Sequence, residues 1–160
     1  MKCKCLSLTQ PWAELVALGA KKLETRSWST NYRGPLAIHA AKRFPPEARL
    51  LCHEQPFRSF LERTDGTSPE NLPLGAIIAV VDMTGCFATP GEGIPWQEHV
   101  GDLRRSPDEP ERSFGDYSPG RFAWRLANVR RLDNPVPFKG SLGLFDIPWS
   151  VEELLQRKEE

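Results

Sequence analysis

The decapeptide GAKKLETRSW at residues 19–28 concentrates side chains that could bind an anion or move a proton. It contains Lys21, Glu24 and Arg26, with Trp28 close behind. If the two side chains share a cleft, Glu24 would act as a general base on water while Lys21 polarises a carbonyl or phosphoryl oxygen. Structural ion pairs are the commoner reason for such a couple, but buried pairs seldom stabilise a fold much. We therefore expect the couple to serve ligand binding or catalysis.

Three residues in this segment or close to it, Arg26, Trp12 and Trp28, are candidate ligand contacts. Arg26 could hold a phosphate with its bidentate guanidinium, or form a local salt bridge with Glu24 instead. Trp12 and Trp28 could each stack on a nucleobase. Both tryptophans are also compatible with a place in the core, Trp12 on the apolar stripe of a short helix and Trp28 at the end of a strand.

Four polar residues outside this segment also have expected roles. Gln10 could hydrogen-bond a base edge, or cap the helix that follows it. Lys42, at a strand end, is a candidate phosphate contact. His39 is typical of a structural histidine, and we find no serine or cysteine partner for a nucleophilic arrangement. Asp82 lies in the most apolar strand and needs a partner if it is buried, for which we expect a lysine of the 19–28 segment.

Short elements must position these residues. A first strand near residues 4–9 leads into a helix with Thr9 or Gln10 as N-cap, Pro11 at its first position and Gly19 at its C′ position. Strands follow within 22–28, 35–42, 75–88, 121–132 and 140–148, and a helix broken near Pro56 lies between the second and third of these. Too few links are helical crossovers for a doubly wound sheet. We predict an α+β fold, a small mixed β-barrel of about six strands with helices packed outside.

The chain length predicts a single domain over residues 1–150, followed by a C-terminal helix and tail at 151–160. Ser150 and Glu153 have the spacing of a capping box. Residues 88–120 are too rich in glycine, proline and charge for regular structure, so we expect a long loop. Asp116, Tyr117 and Arg121 would lie at its end and form a lid.

Charge and cysteine content narrow the functional classes. The net charge is zero, yet residues 1–45 carry net +6 and residues 46–116 carry net −7. A basic first third predicts an anionic partner, although the two regions could simply neutralise each other across the fold. The four cysteines lack the paired Cys-x-x-Cys spacing of zinc modules, so we expect buried thiols, no metal and no cofactor. The N-terminal residues lack the apolar segment of a signal peptide, which predicts a cytoplasmic protein without membrane contact.

The 19–28 segment resembles the G-x-K-x-x-E-x-R signature of the ASCH domain, a branch of the PUA-like superfamily. Its flanking sequences support the resemblance: LSL-x-QPWA at residues 6–13 precedes it, and Tyr32-Arg33-Gly34 and His39-x-x-Lys42 follow it. The resemblance implies a β-barrel with flanking helices and a cleft beside the first helix. It also implies a binder of nucleic acid or of modified nucleosides.

One branch of the ASCH family consists of bacterial amidohydrolases that act on N4-acetylcytidine, and ribonuclease activity has been proposed for other relatives. In the amidohydrolases the catalytic lysine falls at Lys21. Their catalytic threonine falls where this chain has Glu24, a departure from the amidohydrolase pattern. A coactivator subunit of the family also has glutamate at this position.

Two functions follow as expectations. The first is a domain that binds RNA, single-stranded nucleic acid or a modified nucleoside through Gln10, Trp12, Lys21, Glu24, Arg26, Trp28 and Lys42, with a protein partner also compatible. The alternative is a small nucleoside-directed hydrolase with Lys21 and Glu24 as catalytic residues. A Glu24→Gln variant distinguishes them, because a binder would still bind and a hydrolase would bind without turnover.

Overall fold

The computed structural model describes residues 2–62, 68–89, 97–98 and 107–157. The strands are β1 (Lys4–Leu8), β2 (Leu23–Arg26), β3 (Gly34–Ala40), β4 (Ala76–Ala88), β5 (Gln97–Glu98), β6 (Phe122–Pro137) and β7 (Leu144–Asp146). The helices are α1 (Trp12–Ala17), α2 (Pro46–Leu51), α3 (Phe57–Leu61), α4 (Glu111–Phe114) and α5 (Val151–Gln156), with a 3-10 turn at Pro69–Asn71. Residues 90–96 and 99–106 of the predicted 88–120 loop lie outside the described residues, and its described parts contain β5 and α4.

The strands form one mixed sheet that curves into a half-barrel with the helices packed around it. Six strands follow the order β2-β6-β4-β3-β1-β7, and β5 pairs with β4. The β1–β3 pair is parallel, whereas the other pairs are antiparallel. The predicted α+β class, a mixed barrel-like sheet with helices packed outside, is therefore confirmed. Within the described residues, no helix combines the length and the apolar character needed to cross a membrane.

Local sequence signals set several element boundaries. Gly19 adopts a φ of +77° just beyond α1, where a side chain would be strained. The helical region between β3 and β4 is broken before Pro56, so α2 and α3 are separate. At α5, Ser150 and Glu153 form the predicted capping box. The start of α1 differs from the prediction, because Pro11 is itself the N-cap and the helix begins at Trp12.

The apolar core lies on both sides of the central strands. One cluster packs α1 against β3, β4 and β6, with Trp124 fully buried in it. A second cluster packs Leu154 of α5 on the other face. A third cluster joins α1, α2, α3 and α4 through Leu15, Phe57 and Phe114. All four cysteines are buried with free thiols.

The sheet is open beside the end of β1. Strand β7 pairs only with Lys4, Cys5 and Leu6, so the last two residues of β1 have no partner on that side. The Arg26 side chain extends from the end of β2 and donates a hydrogen bond from Nη2 to the Ser7 carbonyl at 2.9 Å. Strand β2, at one end of the strand order, therefore approaches β1, the last strand but one, through a side chain here, and both cavities described below adjoin this point.

A candidate ligand-binding cleft

A cavity of about 600 Å³, called the first cavity below, opens beside the start of α1. The ends of β1 and β2 and the helices α1, α3 and α4 form its walls. Its lining residues are Ser7, Leu8, Thr9, Trp12, Glu24, Thr25, Arg26, Ser27, Trp28, Leu51, Phe57, Ser113, Phe114, Gly115, Asp116 and Arg121. Two acidic and two basic residues balance each other in this set, so the cavity suits an uncharged, aromatic group.

The aromatic walls of the first cavity are held by packing. Trp12 is half-buried, and its ring meets Phe57 edge-on at a centroid distance of 6.3 Å. Trp28 is also half-buried and meets the fully buried Trp124 edge-on at 4.7 Å. One side of each tryptophan therefore packs on the core, and another part lines the cavity. Rings fixed in this way can stack on a ligand with little loss of side-chain freedom.

Glu24 brings a carboxylate into the first cavity with few protein partners. Its side chain is 11% exposed, and Oε1 accepts a hydrogen bond from the Thr25 backbone N–H at 3.0 Å. Oε2 lies 3.9 Å from Nη2 of Arg26, at the limit of an ion pair. Burial raises the pKa of the nearby Tyr117 hydroxyl, and the negative charges of Glu111 and Glu24 raise it further. Because the Glu24 carboxylate has few partners among the described residues, it can accept hydrogen bonds from N–H groups of a ligand.

Arg26 lies between the first cavity and a second one. The second cavity has a volume of about 790 Å³ and shares Ser7, Thr9 and Arg26 with the first. Its other lining residues are His39, Ala41, Lys42, Gly75, Phe138, Lys139, Gly140, Ser141, Leu142 and Gly143. Arg26, Lys42 and Lys139 make this lining basic, and it contains no acidic residue among those described. Unlike the first cavity, the second one therefore attracts anions.

The structure does not bring all the predicted site residues together. The buried Nζ of Lys21 donates to the Leu23 carbonyl, and the residue lines a separate cavity with Val16 and Val81. Among the described residues, Lys21 forms no ion pair with Glu24, because the turn after α1 directs the two side chains to different sides of β2. The proton-transfer couple predicted from residues 21 and 24 is therefore not assembled in this cleft.

Gln10 and Lys42 also lie outside the first cavity. Gln10 is fully buried, and Oε1 accepts from the Glu14 backbone N–H at 2.9 Å while Nε2 donates to the Pro73 carbonyl at 3.0 Å. Both ends of the amide are therefore used within the protein, in agreement with the capping interpretation. Lys42 is exposed and lines the second cavity.

Two predictions about side-chain partners, made from the sequence, were wrong. Asp82 pairs with Arg130 at 2.6 Å and accepts from Asn128 at 3.0 Å, rather than pairing with a lysine of the signature. His39 does have a serine partner, because Ser7 Oγ lies 2.9 Å from its Nδ1. The parallel pairing of β1 with β3 places these two residues side by side, and this register could not be read from the sequence.

The segment around α4 covers one side of the first cavity and is tied to β2. Both carboxylate oxygens of Glu111 accept backbone hydrogen bonds, from Lys22 and Leu23, at 2.9 Å each. The Asp116 backbone N–H donates to Thr25 Oγ1 at 3.2 Å, and Arg121 Nη2 donates to the Thr25 carbonyl at 3.1 Å. Asp116 and Arg121 line the cavity, as expected of a lid, whereas the sequence analysis did not single out Glu111.

We expect Glu111→Ala to loosen this segment. The change removes two hydrogen bonds to a charged acceptor and leaves the backbone N–H groups of Lys22 and Leu23 without that acceptor, so the free energy of unfolding should fall by about 2 kcal/mol. Urea denaturation measures this change. Glu109→Ala is the matched control, because the bond that Glu109 makes among the described residues goes to Ser113 within its own segment, and its loss should cost under ~0.5 kcal/mol. Equal losses for both variants would contradict the assigned role of Glu111.

Comparison with known proteins identifies the family of this chain. The family model of the ASCH domain matches residues 6–136. The chain belongs to the ASCH domain family. It is similar to human Activating signal cointegrator 1, with 32% identity over 149 residues, and to the mouse protein of the same name, with 33% identity over 149 residues. Each match covers 93% of this chain but 23% of the relative, so the chain spans about a quarter of their length.

The ASCH signature is divided between two environments in this chain. Glu24 and Arg26 face the first cavity, whereas Lys21 lies within the protein on the other side of the strand. Residues 138–143, which complete the second cavity, follow the matched region. The first cavity is therefore built from residues within the family match, and part of the second cavity lies beyond it.

Proposed function

We propose that this ASCH domain binds a nucleotide unit, free or within single-stranded RNA. The base would occupy the first cavity and the phosphate would lie toward the second. The observation that carries this proposal is the junction of the two cavities at Ser7, Thr9 and Arg26, with an aromatic, charge-balanced lining on one side and a basic lining on the other. A nucleotide has the same division between an uncharged ring and an anionic group.

The first cavity offers a base both stacking and hydrogen bonds. Trp12 and Trp28 present aromatic surfaces, and stacking on such a residue contributes about 1–3 kcal/mol per base. Glu24 accepts hydrogen bonds, and Arg26 donates them. Bases such as cytosine and guanine carry an N–H donor beside a ring nitrogen or carbonyl acceptor, so this pair could read their edges. This mode of recognition requires an unpaired base.

The second cavity offers positive charge for the phosphate. Lys42 is exposed there, and Arg26 is held in place by its bond to the Ser7 carbonyl. The Arg26 Nε atom is buried and has no hydrogen-bond partner among the described residues. A ligand that moved Arg26 slightly could supply the missing acceptor. We expect the contribution of the phosphate to the binding affinity to fall as salt is raised, because charged contacts of this kind release counterions.

The test is calorimetric titration with the four nucleosides, their 5′-monophosphates and a short unstructured RNA. We expect monophosphates to bind more tightly than nucleosides, with a difference that shrinks as salt is raised. Trp28→Leu should weaken both kinds of ligand, by roughly 5- to 100-fold. Lys42→Ala should weaken only the monophosphates and the RNA.

Lys22→Ala is the matched control for Lys42→Ala. Lys22 is also exposed and basic, but it lines the separate cavity behind β2. Its removal should leave nucleotide affinity within about twofold of the unchanged protein. If none of the nucleosides, nucleotides or RNA binds, the proposal is wrong. It also fails if Lys42→Ala and Lys22→Ala have equal effects, since the phosphate would then bind through net charge alone.

A further inference from the structure

The Ser7–His39 pair at the second cavity has the geometry of an activated nucleophile. His39 Nε2 lies 2.7 Å from the Phe138 carbonyl oxygen, which can only accept a hydrogen bond. The neutral ring therefore carries its proton on Nε2, and Nδ1 is the acceptor. Ser7 Oγ, at 2.9 Å from Nδ1, must donate its proton to that nitrogen. The backbone carbonyl thus fixes both the tautomer and the ring orientation.

The charge state of His39 suits a general base. Its side chain is 1% exposed, and burial lowers its pKa below the ordinary value, partly offset by the bond to the Phe138 carbonyl. The ring is therefore neutral near neutral pH and free to take a proton. During proton transfer the Phe138 carbonyl dipole would stabilise the imidazolium that forms. These contacts meet the two requirements of a general base, which are an unprotonated ring nitrogen beside the donor and a fixed orientation of the ring.

Ser7 remains accessible to a ligand. It is half-buried and lines both cavities, whereas His39 behind it lines only the second. Because its proton is directed to His39, the oxygen presents lone pairs to the cavity. A phosphate oxygen would be repelled by those lone pairs, while an electrophilic carbon would be attracted. The orientation of this hydroxyl therefore favours a nucleophile over an anion-binding donor.

We propose that Ser7 and His39 form a nucleophilic pair that hydrolyses a small acyl ester of a phosphate-bearing alcohol. Ser7 Oγ attacks the ester carbonyl carbon while its proton passes to His39 Nδ1. The bond from this carbon to the alcohol oxygen then breaks, and His39 returns the proton to the departing alcohol. Water then attacks the carbonyl carbon of the acyl-Ser7 and gives a proton to His39 Nδ1. The bond from this carbon to Ser7 Oγ breaks, the carboxylic acid leaves, and His39 returns the proton to Ser7 Oγ. Water is the only co-reactant.

The charge of the second cavity selects the substrate class. Arg26, Lys42 and Lys139 line it without an acidic residue among those described, so an ester carrying a phosphate is favoured over an uncharged one. The same cations stabilise the negative charge that develops on the carbonyl oxygen during attack. This inference goes beyond nucleotide binding and does not require a base in the first cavity.

The first experiment is covalent labelling with a fluorophosphonate probe, read by intact mass and peptide mapping. We expect one adduct, located on Ser7, and no adduct on Ser7→Ala. Ser141→Ala is the matched control, because Ser141 supplies a second hydroxyl to the same cavity and has no histidine partner among the described residues. Labelling of this variant at Ser7 should be unchanged. His39→Gln should slow labelling at least tenfold, with circular dichroism as the check on its fold.

The second experiment uses 3′-O-acetyl adenosine 5′-monophosphate beside 3′-O-acetyl adenosine. We expect acetate release from the phosphorylated ester to be at least tenfold faster, and to disappear in Ser7→Ala. Absence of a Ser7 adduct in the unchanged protein overturns the proposal, as does equal labelling of Ser7 and Ser141. Acetate release that survives in Ser7→Ala also overturns it. Nucleotide titration of the unchanged protein reports separately on the proposed binding function.

Discussion

Arg131→Ala should destabilise the fold by about 3–5 kcal/mol. Arg131 Nη2 lies 2.6 Å from Oε1 of Glu14, whose side chain is completely buried in α1. The other oxygen of Glu14 has no hydrogen-bond partner among the described residues. Without the guanidinium the carboxylate would be buried and unpaired, and breaking a buried pair in this way costs several kcal/mol. Urea denaturation at neutral pH measures the loss.

The neighbouring residue supplies the control for that experiment. Arg130 makes an ion pair with Asp82 at the same distance of 2.6 Å, but the two side chains are 29% and 33% exposed. Water can replace the lost partner there, so Arg130→Ala should cost under about 1 kcal/mol. Similar losses for both variants would show that Glu14 gains solvent or another partner when Arg131 is removed. In that case burial does not decide the strength of this pair.

Gly140→Ala should disrupt the Ser7–His39 pair. A Cβ atom at residue 140 would lie 2.7 Å from His39 Cε1, 3.0 Å from Nδ1 and 3.2 Å from Ser7 Oγ. The imidazole cannot move away easily, because it is buried and both of its nitrogens are hydrogen-bonded. We expect a loss of about 2 kcal/mol in stability, typical of overpacking, and at least tenfold slower fluorophosphonate labelling.

A double-mutant cycle isolates this contact. In a His39→Ala background the imidazole is gone, so the same Gly140→Ala change should cost under ~0.5 kcal/mol. The φ of Gly140 lies outside the left-handed region, so an alanine there adds no backbone strain of its own. A full penalty that persists without the imidazole would assign the cost to another neighbour and contradict the proposed clash.

Local signals predicted much of the fold. The turn after α1 at Gly19, the break before Pro56 and the capping box at Ser150 each depend on a few consecutive residues. The small number of helical links between the predicted strands indicated a barrel, and the family resemblance implied the same fold. These features could be predicted because the physical cause lies within a few positions of the effect.

The site was less predictable because its contacts join distant parts of the chain. Lys21 and Glu24 are close in sequence, yet the turn before β2 sends them to separate cavities. Ser7 and His39 meet only through the register of a parallel strand pair. Glu111 binds the backbone at residues 22 and 23 from a segment almost ninety positions away. Spacing along the sequence carries no information about such pairings.

The position of Glu111 has a consequence for self-association. Strand β2 is the last strand at one end of the sheet order, and an outer strand with open N–H groups can recruit a strand from another molecule. Glu111 occupies two such donors at the entrance to β2 with a negatively charged side chain. The contact that holds the α4 segment over the cleft therefore also acts as a cap against intermolecular β-pairing and aggregation.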